Sequence, residues 1–301
     1  MNDMMRGKLL LTCLMLMAMP PGVCNGNNSG TIGEPLVASV ETAANEHQRG
    51  AAYATAPEKD NRTESGTAAI YGKHVVTIDI PEETPVADSN GQIPGADGIS
   101  SVDRKTVLFG RFYQEASADE LRPIQWIVLG EKDGYTLLMT KQIIASKGWV
   151  NEGRNGVTWA QTDLRHWLDN EFFNTAFSFV EQKNMALFNA VQHQNPRYDT
   201  PAGEGTVDRV SILSYQELIH YMPTNLERKT KPTEYAIKQG CYLNPDGDSA
   251  WWLRSPGPNA AVPEHLASWG NLGARTHYVD DSSIGVRPVI WVNSDYLATV
   301  R

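Results

Sequence analysis

The feature that most constrains this chain is the placement of its aromatic residues. Of 26 Phe, Trp and Tyr in 301 residues, 24 lie after residue 100, and all eight tryptophans fall between Trp126 and Trp291. Large rings supply most of the apolar area that a folded core buries. The last two hundred residues can therefore build a core and the first hundred cannot build much of one.

Charge follows the same division. Residues 31–100 carry 11 acids and 4 bases, whereas residues 101–301 carry 23 acids and 20 bases. A nucleic-acid surface needs clustered Lys and Arg to displace counterions, and the densest basic run, Arg228-Lys229-Thr230-Lys231, is too short. Nucleic acid is therefore excluded as an expected partner.

The N-terminus reads as an export signal over residues 1–26. Arg6 and Lys8 precede the apolar run Leu9 to Met19, and Pro20-Pro21 and small residues up to Gly26 follow. The run is shorter than the roughly 20 residues that cross a bilayer, so cleavage after about Cys24 or Gly26 and export to the cell surface, periplasm or medium are expected. Cys24 offers a second route, a lipid-modified N-terminus, although Pro21-Gly22-Val23 departs from the usual Leu-x-Gly/Ala approach to such a cysteine. Cys241 is the one cysteine that every cleavage site leaves, so the fold must rest on packing rather than disulfides.

Residues 27–104 read as a polar, acidic and largely disordered stalk, within which His74 to Ile80 alternates like a strand. Over residues 105–296 the pattern is that of a globular domain. Val107–Tyr113 reads as a strand, and Ile124–Leu129 and Tyr135–Thr140 flank an Asp133-Gly134 turn as a hairpin. Thr162 caps a helix carrying Leu164, Trp167, Leu168 and Phe172 on one face. Ser178–Glu181 and Ser214–Glu217 are capping boxes. The first opens an expected helix with the stripe Val180, Leu187, Phe188 and Val191; the second follows an expected strand, Arg209–Ser214, and opens a helix to about Met222. Thr233–Gln239 reads as a short helix ended by Gly240, Cys241–Ile284 as loops, and Val286–Val292 as a final strand. The order predicts an α+β domain: an antiparallel sheet with flanking helices and long loops.

No phosphate-binding glycine loop, His-Glu-x-x-His, Cys-x-x-Cys or Gly-x-Ser-x-Gly occurs. Asn244–Ser249 clusters oxygens that could take calcium, but it lacks the full ligand spacing of an EF-hand loop and its Pro-Asp-Gly core is also an ordinary turn, so no cofactor is expected. Trp269 lies on a Gly-rich stretch where it reads either as a packed ring or as an exposed aromatic platform.

Trp252-Leu253-Arg254-Ser255-Pro256-Gly257 and Gly285-Val286-Arg287-Pro288-Val289-Ile290-Trp291-Val292 carry a resemblance. Together with Phe109-Gly110, Ile124–Leu129, Thr158-Trp159, Leu164–Leu168 and Thr233–Ala236, they resemble an uncharacterised family of bacterial extracellular domains. That family is similar to the C-type-lectin-like fold of formylglycine-generating enzymes and of retroelement-diversified variable proteins. The resemblance implies a structural role for Trp252, Arg254, Gly257, Gly285, Arg287 and Trp291, with both arginines buried. It also implies a ligand face on loops 257–283: Asn259, His265, Ser268, Trp269, Asn271, Arg275, His277, Tyr278 and Asp280. The paired active-site cysteines of the formylglycine enzymes and the full calcium-sugar motif of lectins are both absent. The expected function is a non-catalytic, exported module presenting this face to an extracellular protein or glycan. The alternatives are a structural cell-surface protein without a discrete ligand, and an enzyme built on the formylglycine-generating scaffold with altered chemistry.

Overall fold

The computed structural model describes residues 74–96, 103–152, 156–273 and 277–300. The signal and most of the stalk expected over residues 1–73 lie outside them. In chain order the elements begin with strands β1 (Val75–Val76), β2 (Thr106–Tyr113), β3 (Leu121–Lys132), β4 (Tyr135–Thr140) and β5 (Ala145–Ser146). Helix α1 (Asp163–Trp167) follows, continuing through a π turn (Leu168–Phe172) into α2 (Phe173–Ala176), and then α3 (Phe179–Lys183). Next come β6 (Met185–Ala190), β7 (Thr206–Asp208), α4 (Tyr215–Tyr221), α5 (Asn225–Arg228) and α6 (Glu234–Lys238). The chain ends with β8 (Trp251–Asn259), β9 (Val262–Leu266), β10 (Gly285–Val286), β11 (Val289–Asn293) and α7 (Ser294–Thr299).

The fold is α+β, with two sheets. The larger has seven strands in the order β1-β6-β11-β4-β3-β2, with β7 on β6; the smaller has the order β5-β10-β8-β9. Pairing is antiparallel except for β1 with β6 and β10 with β8. The central strands β4 and β11 are buried on both faces. Leu138, Ile290 and Val292 point into one apolar cluster, and Leu137, Met139, Val289 and Trp291 into the other. That two-sided burial explains why these strands read as continuous apolar runs rather than alternating ones.

The hairpin, the capping boxes and the helix from Thr162 form as expected. Asp133 and Gly134 adopt φ 54° and 81°, the left-handed pair that a two-residue hairpin turn needs. Ser178 and Ser214 each accept the N–H of the glutamate three residues on, and those glutamates reach back to the cap N–H. Four expectations change. The helix after Ser178 stops at Lys183, and Met185–Ala190 becomes β6, because Leu187 and Phe188 pair with Val75 and Val76 while Ala186 pairs with Trp291. The Arg209–Ser214 strand contracts to β7 before it and a single bridge, Ser211 with Val289. The final strand divides at Arg287-Pro288. The Cys241–Ile284 loops contain a β-hairpin, β8–β9.

The stalk also ends earlier than residue 104. Val76, Ile78, Ala87, Ile93 and Ala96 are buried in the second apolar cluster. Tyr215 Oη accepts the Ala87 N–H at 2.8 Å and donates to the Pro85 carbonyl at 3.2 Å. Residues 74–96 are thus part of the folded body. Among the described residues no helix is long and apolar enough to cross a membrane.

Candidate functional site

The β8–β9 hairpin is the platform for the expected face, and two buried arginines hold it. Arg254, fully buried on β8, donates Nη1 to the Ile212 carbonyl at 2.6 Å and Nη2 to the Val191 carbonyl at 3.2 Å, and both nitrogens clasp the Glu217 carboxylate. Glu217 is itself the capping residue of α4, so one carboxylate joins hairpin and helix. Arg287 donates to the Thr140 carbonyl through Nε and Nη2, at 3.1 and 2.9 Å, and lies over the Trp251 ring at 4.9 Å. Burial, with Arg104 as a second cause, lowers the Arg287 pKa to about 9, which is still above neutral pH.

The other motif residues share this structural role. Trp252 donates its indole N–H to the Lys147 carbonyl at 2.8 Å, and Trp291 is buried in the core. At Gly257 a Cβ would stand 2.3 Å from the Val262 carbonyl oxygen, and at Gly285 2.6 Å from Ile143, so close approach requires glycine at both.

The expected ligand residues do not form one face. Trp269 and Asn271 line an open groove of about 490 Å³ together with Asn90, Asn225 and Lys229. Trp269 is 47% exposed, and the Lys229 ammonium lies 5.1 Å from its ring centroid. Its position follows from a turn: Gly270 N–H bonds the Ala267 carbonyl at 2.8 Å, and Gly270 has φ 85°. Asn271 reaches the Asn90 carbonyl through Nδ2 at 3.3 Å.

Asn259, Tyr278 and Asp280 are exposed elsewhere. Asn259 closes the hairpin turn by accepting the Ala261 N–H at 2.9 Å, and the neighbouring Val279 N–H bonds the Ala261 carbonyl at 3.0 Å. Arg275 lies outside the described residues. His265 and Ser268 are corrections, for both are buried. His265 sits on β9 with its ring 6.0 Å from Trp252 and 4.7 Å from His277, and neither of its ring nitrogens has a hydrogen-bond partner. Burial, reinforced by His277, lowers its pKa to about 4, so at neutral pH it is an uncharged packing ring. Ser268 is turned inward by the same turn that exposes Trp269, and its carbonyl accepts from Asn244 Nδ2 at 3.2 Å.

His277 is half-buried and pairs through Nδ1 with the Asp281 carboxylate at 2.6 Å. Burial alone would raise the Asp281 pKa, but hydrogen bonds from Ser283 and His277 bring it below the ordinary value. On β9, next to His265, Glu264 is buried, and it accepts from Asn195 Nδ2 at 2.9 Å and Arg197 Nη1 at 3.1 Å. Burial raises its pKa.

No group of three His, Cys, Asp or Glu suited to a metal occurs among the described residues. In the Asn244–Ser249 turn, Asn244 Oδ1 already accepts the N–H groups of Asp246 and Asp248, each at 2.9 Å. Cys241 is buried, 3.2 Å from the Ser249 hydroxyl, and burial raises its thiol pKa, which disfavours the nucleophilic thiolate.

Asn90, Asn225 and Lys229 are groove residues that sequence reasoning misses. They come from separate segments, and no local pattern relates them to Trp269. No curated protein and no solved structure matches this chain. A family described as a domain of unknown function, DUF6273, matches residues 133–294, from the β3–β4 turn to the start of α7. That match spans more than half of the 301 residues, and the chain belongs to this family.

Proposed function

We propose that this chain is an exported, non-catalytic binding module of C-type-lectin-like architecture, which engages a glycan through the groove beside Trp269. The observation that carries the reading is a half-exposed indole bordered by the amides of Asn90, Asn225 and Asn271. An aromatic face covers the apolar side of a sugar ring, and amides both donate to and accept from its hydroxyls. Lys229 adds a cation at the same rim, shared with the Asp246 carboxylate at 3.8 Å. Gly-rich loops carrying Trp, Tyr and Asn are also typical of adaptable recognition surfaces. The signal-like residues 1–26 support export, with Cys24 as the candidate lipid anchor. A protein ligand is the other partner class, and it would use the separate exposed patch of Tyr278 and Asp280 beside the hairpin turn.

The test is a glycan array followed by calorimetric titration of the best sugar against the full chain, with and without calcium. Selective binding lost in Trp269→Ala, at unchanged thermal stability, is the expected result. Equal binding by wild type and Trp269→Ala would remove the groove from the mechanism. Calcium dependence would return attention to the Asn244–Ser249 turn.

A further inference from the structure

The residues that line the Trp269 groove differ in how much of their hydrogen-bonding capacity is already used. Asn225 Oδ1 accepts from Arg228 Nη1 at 3.2 Å, and Asn271 Nδ2 donates to the Asn90 carbonyl at 3.3 Å. The turn at residues 88–92 contributes three more lining residues, Ser89, Asn90 and Gln92. Their side chains are exposed and make no hydrogen bond among the described residues. The backbone beneath them is fixed. Asp88 N–H bonds the Gln92 carbonyl at 2.8 Å, and Asp88 Oδ1 accepts the N–H groups of Asn90 and Gln92 at 2.8 and 2.9 Å. The turn is also pinned to the body: Leu272 N–H bonds the Gly91 carbonyl at 3.3 Å, and a Cβ at Gly91 would stand 2.2 Å from the Leu272 carbonyl oxygen. Ala87 and Ile93, on either side, are buried. A rigid backbone that carries uncommitted polar side chains loses little freedom when a ligand binds.

Charge narrows the ligand. Among the described residues Lys229 is the one charged side chain that lines the groove. Its ammonium lies 5.1 Å from the Trp269 ring centroid and 3.8 Å from the Asp246 carboxylate, so its charge is already shared. An acidic sugar would give up hydration here without meeting a free cation, whereas amides and hydroxyls match neutral hydroxyls in both directions. The volume of about 490 Å³ falls in the range of roughly 300–1,000 Å³ that holds drug-sized ligands, which is room for a short oligosaccharide. Resting on the glycan reading above, we propose that the groove takes a short uncharged oligosaccharide, and that Ser89, Asn90 and Gln92 are the residues that select it.

The test titrates the full chain by calorimetry with the neutral trimers chitotriose, cellotriose and maltotriose, and with trigalacturonic acid as the charged counterpart. At least one neutral trimer is expected to bind more tightly than the acid, with little dependence on salt. The combined variant Ser89→Ala, Asn90→Ala, Gln92→Ala should weaken that trimer about eightfold or more, roughly twofold for each side chain, at an unchanged melting temperature. Gln92→Lys should raise the affinity for trigalacturonic acid about threefold or more at low salt and lose the gain at high salt, a response that a merely structural turn would not give. Tighter binding of the acid by wild type, a smaller loss in the combined variant, or an unchanged acid affinity in Gln92→Lys would each overturn the proposal. Binding that still depends on Trp269 in those cases would leave the glycan reading standing. Absence of binding by every neutral trimer would overturn the proposal as well, and the glycan reading falls with it only if the array is also blank.

Discussion

Replacing Arg254 with Met keeps the length and most of the volume of the side chain but removes the cation that Glu217 faces. In the wild type both partners are inside the protein, with side chains 0% and 3% exposed. The lost interactions are the two-pronged contact to Glu217 and the bonds to the Ile212 and Val191 carbonyls. Removing one member of a buried pair leaves the other desolvated and uncompensated, which costs about 3–5 kcal/mol. In a domain of this size that corresponds to a melting temperature lower by about 6–20 °C. Equilibrium urea unfolding followed by tryptophan fluorescence, with calorimetry alongside, reads both quantities. The double variant Arg254→Met, Glu217→Gln isolates the cause: with no carboxylate left unpaired, it should be more stable than Arg254→Met alone by at least about 1 kcal/mol. A loss below about 1 kcal/mol in the single variant, or a double variant no more stable than the single, would refute the claim that this pair holds the hairpin to α4.

Four further outcomes are expected. The His265 pKa is lowered from 6.5 to about 4 in the folded chain, so between those values the unfolded chain binds more protons. Stability from this group is therefore complete above about pH 6.5 and is lost as pH falls toward 4, by up to about 3 kcal/mol, and urea midpoints of His265→Phe should vary less over that window. Gly270→Ala places a Cβ 2.0 Å from the Asn225 carbonyl oxygen at φ 85°, so it should cost more than about 1 kcal/mol in urea unfolding and weaken sugar binding by displacing Trp269. A chain begun at Lys105 loses the buried Val76, Ile78 and Ile93, each contributing about 1.5–3 kcal/mol on burial, and leaves the Tyr215 hydroxyl without its two partners. It should melt well below a chain begun at Lys73, and equal melting would place residues 74–96 outside the folded body. Cys241 should react with thiol reagents in the native chain far more slowly than in urea, since its sulfur is buried and its pKa raised.

Elements specified by neighbouring residues were legible in the sequence. The Asp133-Gly134 turn, the boxes at Ser178 and Ser214, and the Gly240 stop each depend on atoms within a few residues, and Gly240 indeed takes φ 104°. The Thr224–Glu227 box that opens α5 belongs to the same class. Elements specified by distant partners were not legible. Leu187 and Phe188 fit a helical stripe as well as a strand, and what decides is pairing with Val75 and Val76, more than a hundred residues upstream. The β8–β9 hairpin is hidden by Pro256, Gly257 and Pro263, which argue against a strand. The sheet tolerates them because Pro256 faces Pro263 where the register shifts. Burial of Arg254 and Arg287 came from the resemblance, as did Asn271 beside Trp269, whereas the groove residues Asn90, Asn225 and Lys229 came from neither source.

The same distinction bears on function. The Trp269 groove borders a platform whose supports are internal: Arg254 to α4, Arg287 to the end of β4, Trp252 to Lys147. None of these supports involves the side chains of Trp269, Asn271, Asn259 or Tyr278. Substitution at Trp269 or Tyr278 therefore changes what the surface offers without removing what holds it in place, whereas Asn259 closes the hairpin turn and Asn271 bonds the Asn90 carbonyl. That separation is what a recognition scaffold needs, since ligand preference can vary while the backbone carrying it stays fixed. It also makes the binding experiments interpretable. Loss of ligand in Trp269→Ala with an unshifted melt reports on the groove, whereas loss in Arg254→Met reports on the platform beneath it.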